Sequence, residues 1–247
     1  MSGHNKWSTI KHKKGAADAK RSKIFSKLVK EIQVAVKEGG PDPDHNARLR
    51  LVIQNAKGVS MPKDNIERAV KGGDKDANSF FEVTFEGYLP NAVAVFIECT
   101  TNNLQRTVSN IRSIYNKYNG NMGTNGSLSF MFDRKGVFSI PKENFRADDH
   151  ELELIDAGAE DISDEDGYIM VETAMDDFGR MLKKLEELGI DVENARLQRI
   201  PKDYVSLGKE ETKKIIKVLD IFEEDDDVQN VYHNLDIPDE ILDEMEE

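Results

Sequence analysis

A chain of 247 residues with 38% hydrophobic and 33% charged content exceeds the usual size of one domain and can build two or three compact units with small cores. Its single cysteine, Cys99, excludes an internal disulfide framework and any paired-cysteine metal or redox motif, which fits a reducing cytoplasm. The net charge is −13, and the longest clean apolar run, AVAVFI at 92–97, is far short of the ~18 residues of a membrane span. No apolar segment of the secretory kind follows the basic start, so a soluble, cytoplasmic protein without a membrane partner is expected.

The charge is unevenly placed. Residues 1–30 carry nine Lys or Arg against one acid, Asp18, whereas residues 220–247 carry thirteen acids and no Lys or Arg. Such asymmetry points to a polyanion-binding front and a solvated, repelling rear.

Along the chain, residues 1–15 lack apolar periodicity and hold Gly3, Gly15, Lys6, Lys11, Lys13 and Lys14, so on their own they read as a mobile arm. From Ala16 to Glu38 the period becomes helical, and GGPDP at 39–43 stops it. Asp44 is expected to cap a second helix through Leu49, Val52, Ile53 and Ala56, ended by Gly58. Pro62 opens a third, closed at Gly72 and Gly73. After the linker-like GGDKDANS the period changes to two: Phe81, Val83 and Phe85 face one side and Glu82, Thr84 and Glu86 the other. AVAVFIEC reads as a central strand, residues 104–118 as a helix and SLSFMF at 127–132 as a strand. The following units are strand 135–141, helix 148–158, strand 167–173, helix 175–189 and strand 195–201, the grammar of a split βαβ or ferredoxin-like module. A last strand, a helix over 209–224 and DVQNVYHNL extend either unit. The class is α+β.

On a helical wheel at about 100° per residue, Lys20, Lys23, Lys27 and Lys30 form a stripe opposite the apolar edge of Ile24, Phe25, Leu28, Val29 and Ile32, with Arg21 outside the pattern. The arm ahead of it interleaves Lys6, Lys11, Lys13 and Lys14 with Trp7 and His12, which can stack on bases or meet phosphates. Together they predict a nucleic-acid surface, DNA and RNA being equally served by phosphate contacts. Arg106, near the start of a helix that Asn102 or Asn103 can cap, is a secondary anion contact.

Enzyme signatures are absent from the sequence. His4, His12, His45, His150 and His233 lack metal-site spacing, and Cys99 reads as a core residue. GNMGTNGS at 120–127 follows a helix and precedes a strand, the reverse of a phosphate-cradling loop. The acid runs EEDDD at 223–227 and DEILDEMEE have no calcium-loop spacing, so repulsion or solvation is their expected role. No catalytic residues, metal, cofactor or small-molecule substrate are expected.

The stretches GHNKWSTIKHKKGAADAKRSKIFSKLVKEI, GGPDPDHNARLR, MPKDNIERAVKGG, FEGYLPNAVAVFIE, GSLSFMFDRKGVF, DAGAEDI and DDVQNVYHN resemble, in order, the signature blocks of the YebC/PmpR proteins. The resemblance implies three domains: a basic arm plus helical bundle over 1–78, an α+β domain over 79–133 and 204–247, and a ferredoxin-like domain inserted over 134–203. It also implies one of two functions, a cytoplasmic DNA-binding transcriptional regulator or a ribosome-associated translation factor contacting rRNA. The chain departs from the family at LPNA (89–92), where GPGG is common, and at TNNLQRT (101–107), where TDNxNRT is usual.

Overall fold

Apolar residues at helical spacing build three helices at the front of the chain, α1 (Asp18–Gly39), α2 (Ala47–Gly58) and α3 (Lys63–Gly73). The computed structural model describes residues 18–73, 80–145, 147–165, 167–238, 240, 241 and 244. Asn46, rather than the expected Asp44, caps α2. Its side chain accepts from the Leu49 amide at 3.0 Å while donating to the carbonyls of Ala35 and Gly40 at 2.7 and 2.8 Å. An amide can donate and accept at once, whereas an ionised carboxylate only accepts and would lose the tie to the end of α1.

Beyond residue 80 come β1 (Phe81–Leu89), β2 (Val93–Thr101), α4 (Leu104–Lys117), β3 (Asn121–Met122), β4 (Phe132–Pro141), α5 (Ala147–Asp156) and β5 (Ala159–Glu165). The chain continues through β6 (Tyr168–Ala174), α6 (Phe178–Glu187), β7 (Asn194–Pro201), β8 (Val205–Ser206), α7 (Lys209–Glu224), β9 (Val228–His233) and β10 (Leu235–Asp236). Contacts gather these elements into two compact units, one drawn from the described residues within 18–34, 80–133 and 201–244, the other from those within 35–73 and 134–200.

In the first unit the sheet order is β3-β1-β2-β9, so AVAVFIEC, apolar on both faces but for Glu98, is central as expected. Val95, Ile97 and Cys99 pack with Ile111 and Tyr115 of α4 and with Ile216, Leu219 and Phe222 of α7. On the other face Ala94 and Phe96 meet Leu128, Phe132 and Tyr232. The hairpin between β1 and β2 turns through Asn91 and Ala92, both left-handed at φ 63° and 60°.

SLSFMF is not a strand: residues Ser129–Met131 form a 3-10 turn and β4 begins at Phe132. The cause is Glu86, which alternation had placed on the open face of β1. It is buried instead, and its carboxylate accepts from the amides of Gly126 at 2.7 Å and Leu128 at 2.5 Å, curling the 123–128 segment back on itself.

The second unit contains the ferredoxin-like module, β4-α5-β5-β6-α6-β7 with sheet order β5-β6-β4-β7. β6 pairs antiparallel with both β4 and β5. Its core joins Phe138, Ile140, Leu154, Val171, Met181 and Leu185. β5, whose sequence AEDISDE carries four acids, was not expected as a strand. In the same unit Asn55 of α2 donates to the Ala195 carbonyl at 3.0 Å and accepts from its amide at 3.1 Å. Gly58 ends α2 so close to the Glu193 carbonyl that a Cβ would lie 2.2 Å from that oxygen.

Candidate nucleic-acid interface

Of the residues expected to contact nucleic acid, Lys6, Trp7, Lys11, His12, Lys13 and Lys14 lie outside the described residues. Lys20 sits in the first turn of α1. Arg21 is exposed, its guanidinium 5.6 Å from the centre of the Phe25 ring.

Lys23, Lys27 and Lys30 are not the open stripe that the helical wheel predicts; they are half-buried against the turn joining α7 to β9. Lys23 donates to the carbonyl of Glu224, the last residue of α7. Lys27 donates to the Gln229 carbonyl at 3.2 Å, and Lys30 to the Asp226 carbonyl at 2.6 Å. A helix ends in carbonyls without intrahelical partners and carries the negative end of its dipole there, so ammonium groups are drawn to it. Lys23, Lys27 and Lys30 do lie off the apolar edge of α1, but what they face is protein.

The centre of this contact is Asp227, whose side chain is only 3% exposed. It accepts from the Arg106 guanidinium, Nε at 3.0 Å and Nη2 at 2.8 Å, from the Thr107 hydroxyl at 2.9 Å and from Lys30 Nζ at 3.3 Å. Burial pushes its pKa up, but the hydrogen bonds from Arg106 and Thr107 and the Lys30 charge outweigh it and hold the carboxyl below its ordinary value. Thr101 Oγ1 extends the network: it accepts from the Asn103 amide at 2.9 Å and lies 2.9 Å from Thr107 Oγ1, to which its own hydroxyl donates because the Thr107 proton goes to Asp227. Asn103, of the two asparagines, caps α4.

Two expectations change here. Arg106 already holds an anion, and that anion is Asp227 of its own chain; Asn102, where the resembling family has an acid, accepts from the same guanidinium at 3.2 Å. Nor is the EEDDD run merely solvated. Asp227 is buried and Asp225 accepts from Asn110 at 2.9 Å. No spacing rule singles out Asp227 among five consecutive acids; its one sequence signal is its place in the block DDVQNVYHN.

The outward face of α4 stands apart from this network. An open depression of about 910 Å³ runs along it, with Leu104 and Val108 at one edge and Arg112 and Lys117 among the groups that line it. Among the described residues no group of His, Cys, Asp and Glu is placed to hold a metal ion. Cys99 is buried in the first core, its thiol pKa pushed up by burial. No described helix is long and apolar enough to cross a membrane.

Family models for the TACO1/YebC N-terminal domain and for the TACO1/YebC second and third domain match residues 5–76 and 80–235. A "probable transcriptional regulatory protein" of Geotalea uraniireducens is 52% identical over 249 residues, covering 99% of this chain and 100% of that one. A protein of the same description from Amoebophilus asiaticus is 48% identical, covering 95% and 98%. The crystal structure of a conserved hypothetical protein from Aquifex aeolicus is similar with a TM-score of 0.84 at 40% identity, over 93% of this chain and 96% of that one. With both models together spanning nearly its whole length, the chain belongs to the TACO1/YebC family.

Proposed function

We propose that this protein is a non-enzymatic, cytoplasmic regulator of gene expression that binds nucleic acid through its basic front segment. The observation that carries the reading is the nine Lys or Arg against one acid over residues 1–30 in a chain of net charge −13. The relatives' description as probable transcriptional regulators supports it. Lys6, Lys11, Lys13 and Lys14 make the phosphate contacts and Trp7 stacks on a base. Lys23, Lys27 and Lys30 join only as phosphates replace the carbonyls they now hold.

The test is fluorescence anisotropy with a labelled DNA duplex and a single-stranded RNA across a salt series. Changing Lys6, Lys11, Lys13 and Lys14 together to Gln should flatten the log-log salt slope by roughly 3 units. An unchanged slope removes the arm from the interface.

The second reading, an rRNA-contacting translation factor, is favoured by α3. Its outward face carries the exposed acids Asp64 and Glu67, which suit it poorly to lying in a major groove between phosphates. Co-sedimentation of the protein with ribosomal subunits, set against its occupancy of chromosomal DNA, separates the two.

A further inference from the structure

We propose that the outward face of α4 is a second contact surface for the phosphate backbone of nucleic acid, separate from the basic front segment. The proposal rests on the reading of the chain as a nucleic-acid binder.

In α4, LQRTVSNIRSIYNK, there is no carboxylate. Thr107, Ile111 and Tyr115 are buried, which fixes the outward side. There Gln105, Ser109, Arg112 and Asn116 follow i, i+4, i+7, i+11 spacing, a wedge about 60° wide and about 16 Å long. All four are exposed, and each side chain can donate a hydrogen bond. Ser113 and Lys117, also exposed, continue the donors along one edge.

Two of the neighbouring acids are already engaged. Asp225 is engaged by Asn110, and Asp227 by Arg106 and Thr107, all on the adjoining side of the helix. By contrast α1, α3, α6 and α7 carry both signs of charge, and α5 is acidic. α2 also lacks acids, but its Arg48 is paired with Glu38 at 2.6 Å.

A polyanion fits such a face better than an ordinary protein surface does. Phosphate oxygens only accept, so hydroxyl, amide, guanidinium and ammonium donors all serve them, and the absence of carboxylates removes the usual repulsion. Leu104, 45% exposed, and Val108 give the depression an apolar edge on which a sugar or base can rest.

The experiment uses the full chain and two probes of arbitrary sequence, a fluorescein-labelled single-stranded RNA and a DNA duplex of equal length. Arg112→Glu with Lys117→Glu should raise the Kd for at least one probe about tenfold or more at low salt and lower its salt slope by about 1.5 to 2 units. Circular dichroism and the melting temperature should match the parent, since both side chains are exposed.

As a check that does not depend on charge reversal, Ser113→Cys carries a photo-crosslinker; Cys99, 1% exposed, leaves the new thiol as the site that reacts. A cross-link to the nucleic acid supports the proposal. If the parent binds and the double variant binds equally, or no cross-link forms, the face serves a protein partner or none and the proposal falls alone. If Gln at the four arm lysines leaves binding intact while the α4 variant weakens it, the proposal stands and the front-segment reading falls. A parent that binds neither probe overturns both.

Discussion

Asp227 and Arg106, 121 positions apart in sequence, are joined by a forked ion pair in which Nη2 lies 2.8 Å from both carboxylate oxygens. The aspartate is buried and the guanidinium half-exposed, so the pair closes the end of the sheet where β2, α4 and β9 meet.

Asp227→Asn keeps the shape but removes the charge, leaving Arg106 and Lys30 facing a neutral group. A loss of about 2 to 3 kcal/mol is expected from urea unfolding, the scale of a hydrogen bond to a buried charge.

The same residue gives a pH signature. Its folded pKa lies below the ordinary 3.8, so its stabilisation is complete above the unfolded value and is lost as pH falls through the folded one. Stability of the parent should therefore drop below about pH 4 more steeply than that of Asp227→Asn, whose curve lacks this contribution. Equal acid slopes in the two proteins would contradict the assignment.

Lys30→Gln is expected to cost about 1 to 2 kcal/mol, because Lys30 is 15% exposed and donates to Asp226 and Asp227. Arg21→Gln, on the same helix but exposed, should change thermal stability little. Chemical denaturation of the two variants side by side provides the comparison.

Ala92→Gly should stabilise the protein by about 0.5 to 1 kcal/mol. Ala92 is exposed and left-handed at φ 60°, a conformation costing about 1 to 2 kcal/mol for a residue with a Cβ, against a smaller entropic loss from a more flexible unfolded chain. Asn91→Gly should gain less, since asparagine tolerates that region. A calorimetric melt of both single variants resolves the order.

Glu86→Gln should loosen the 123–128 segment, because an amide offers one acceptor oxygen where the carboxylate offers two and turns an N–H₂ toward backbone N–H groups. Faster hydrogen exchange at Gly126 and Leu128, with the amide of Val95 unaffected, is the expected result.

What was legible in the sequence was whatever leaves a periodic trace. The helix over 209–224 falls where its apolar pattern does, and the central strand takes up the AVAVFIEC run from Val93 and continues two residues past it to Thr101. β5 was illegible because Glu160, Asp161, Asp164 and Glu165 hide its alternation, and its pairing with β6 is set by the strand beside it. Glu86 and Asp227 were missed for one reason: a carboxylate buried by hydrogen bonds looks, in sequence, like one turned to water. A wheel built from one helix sets Lys23, Lys27 and Lys30 off the apolar edge of α1 but does not register that α7 ends against them.

The acids of β5 also bear on self-association. β5 is an outer strand of its sheet, and among the described residues one of its sides has no neighbour in the strand order. Such a margin is a template onto which another chain can add a strand. Here Asp161 is exposed along it, beside Glu160, whose carboxylate is paired with Lys135 at 3.3 Å. Two copies approaching margin to margin would bring like charges together at the ~4.8 Å spacing of paired strands, a repulsion that guards this sheet against growing by addition.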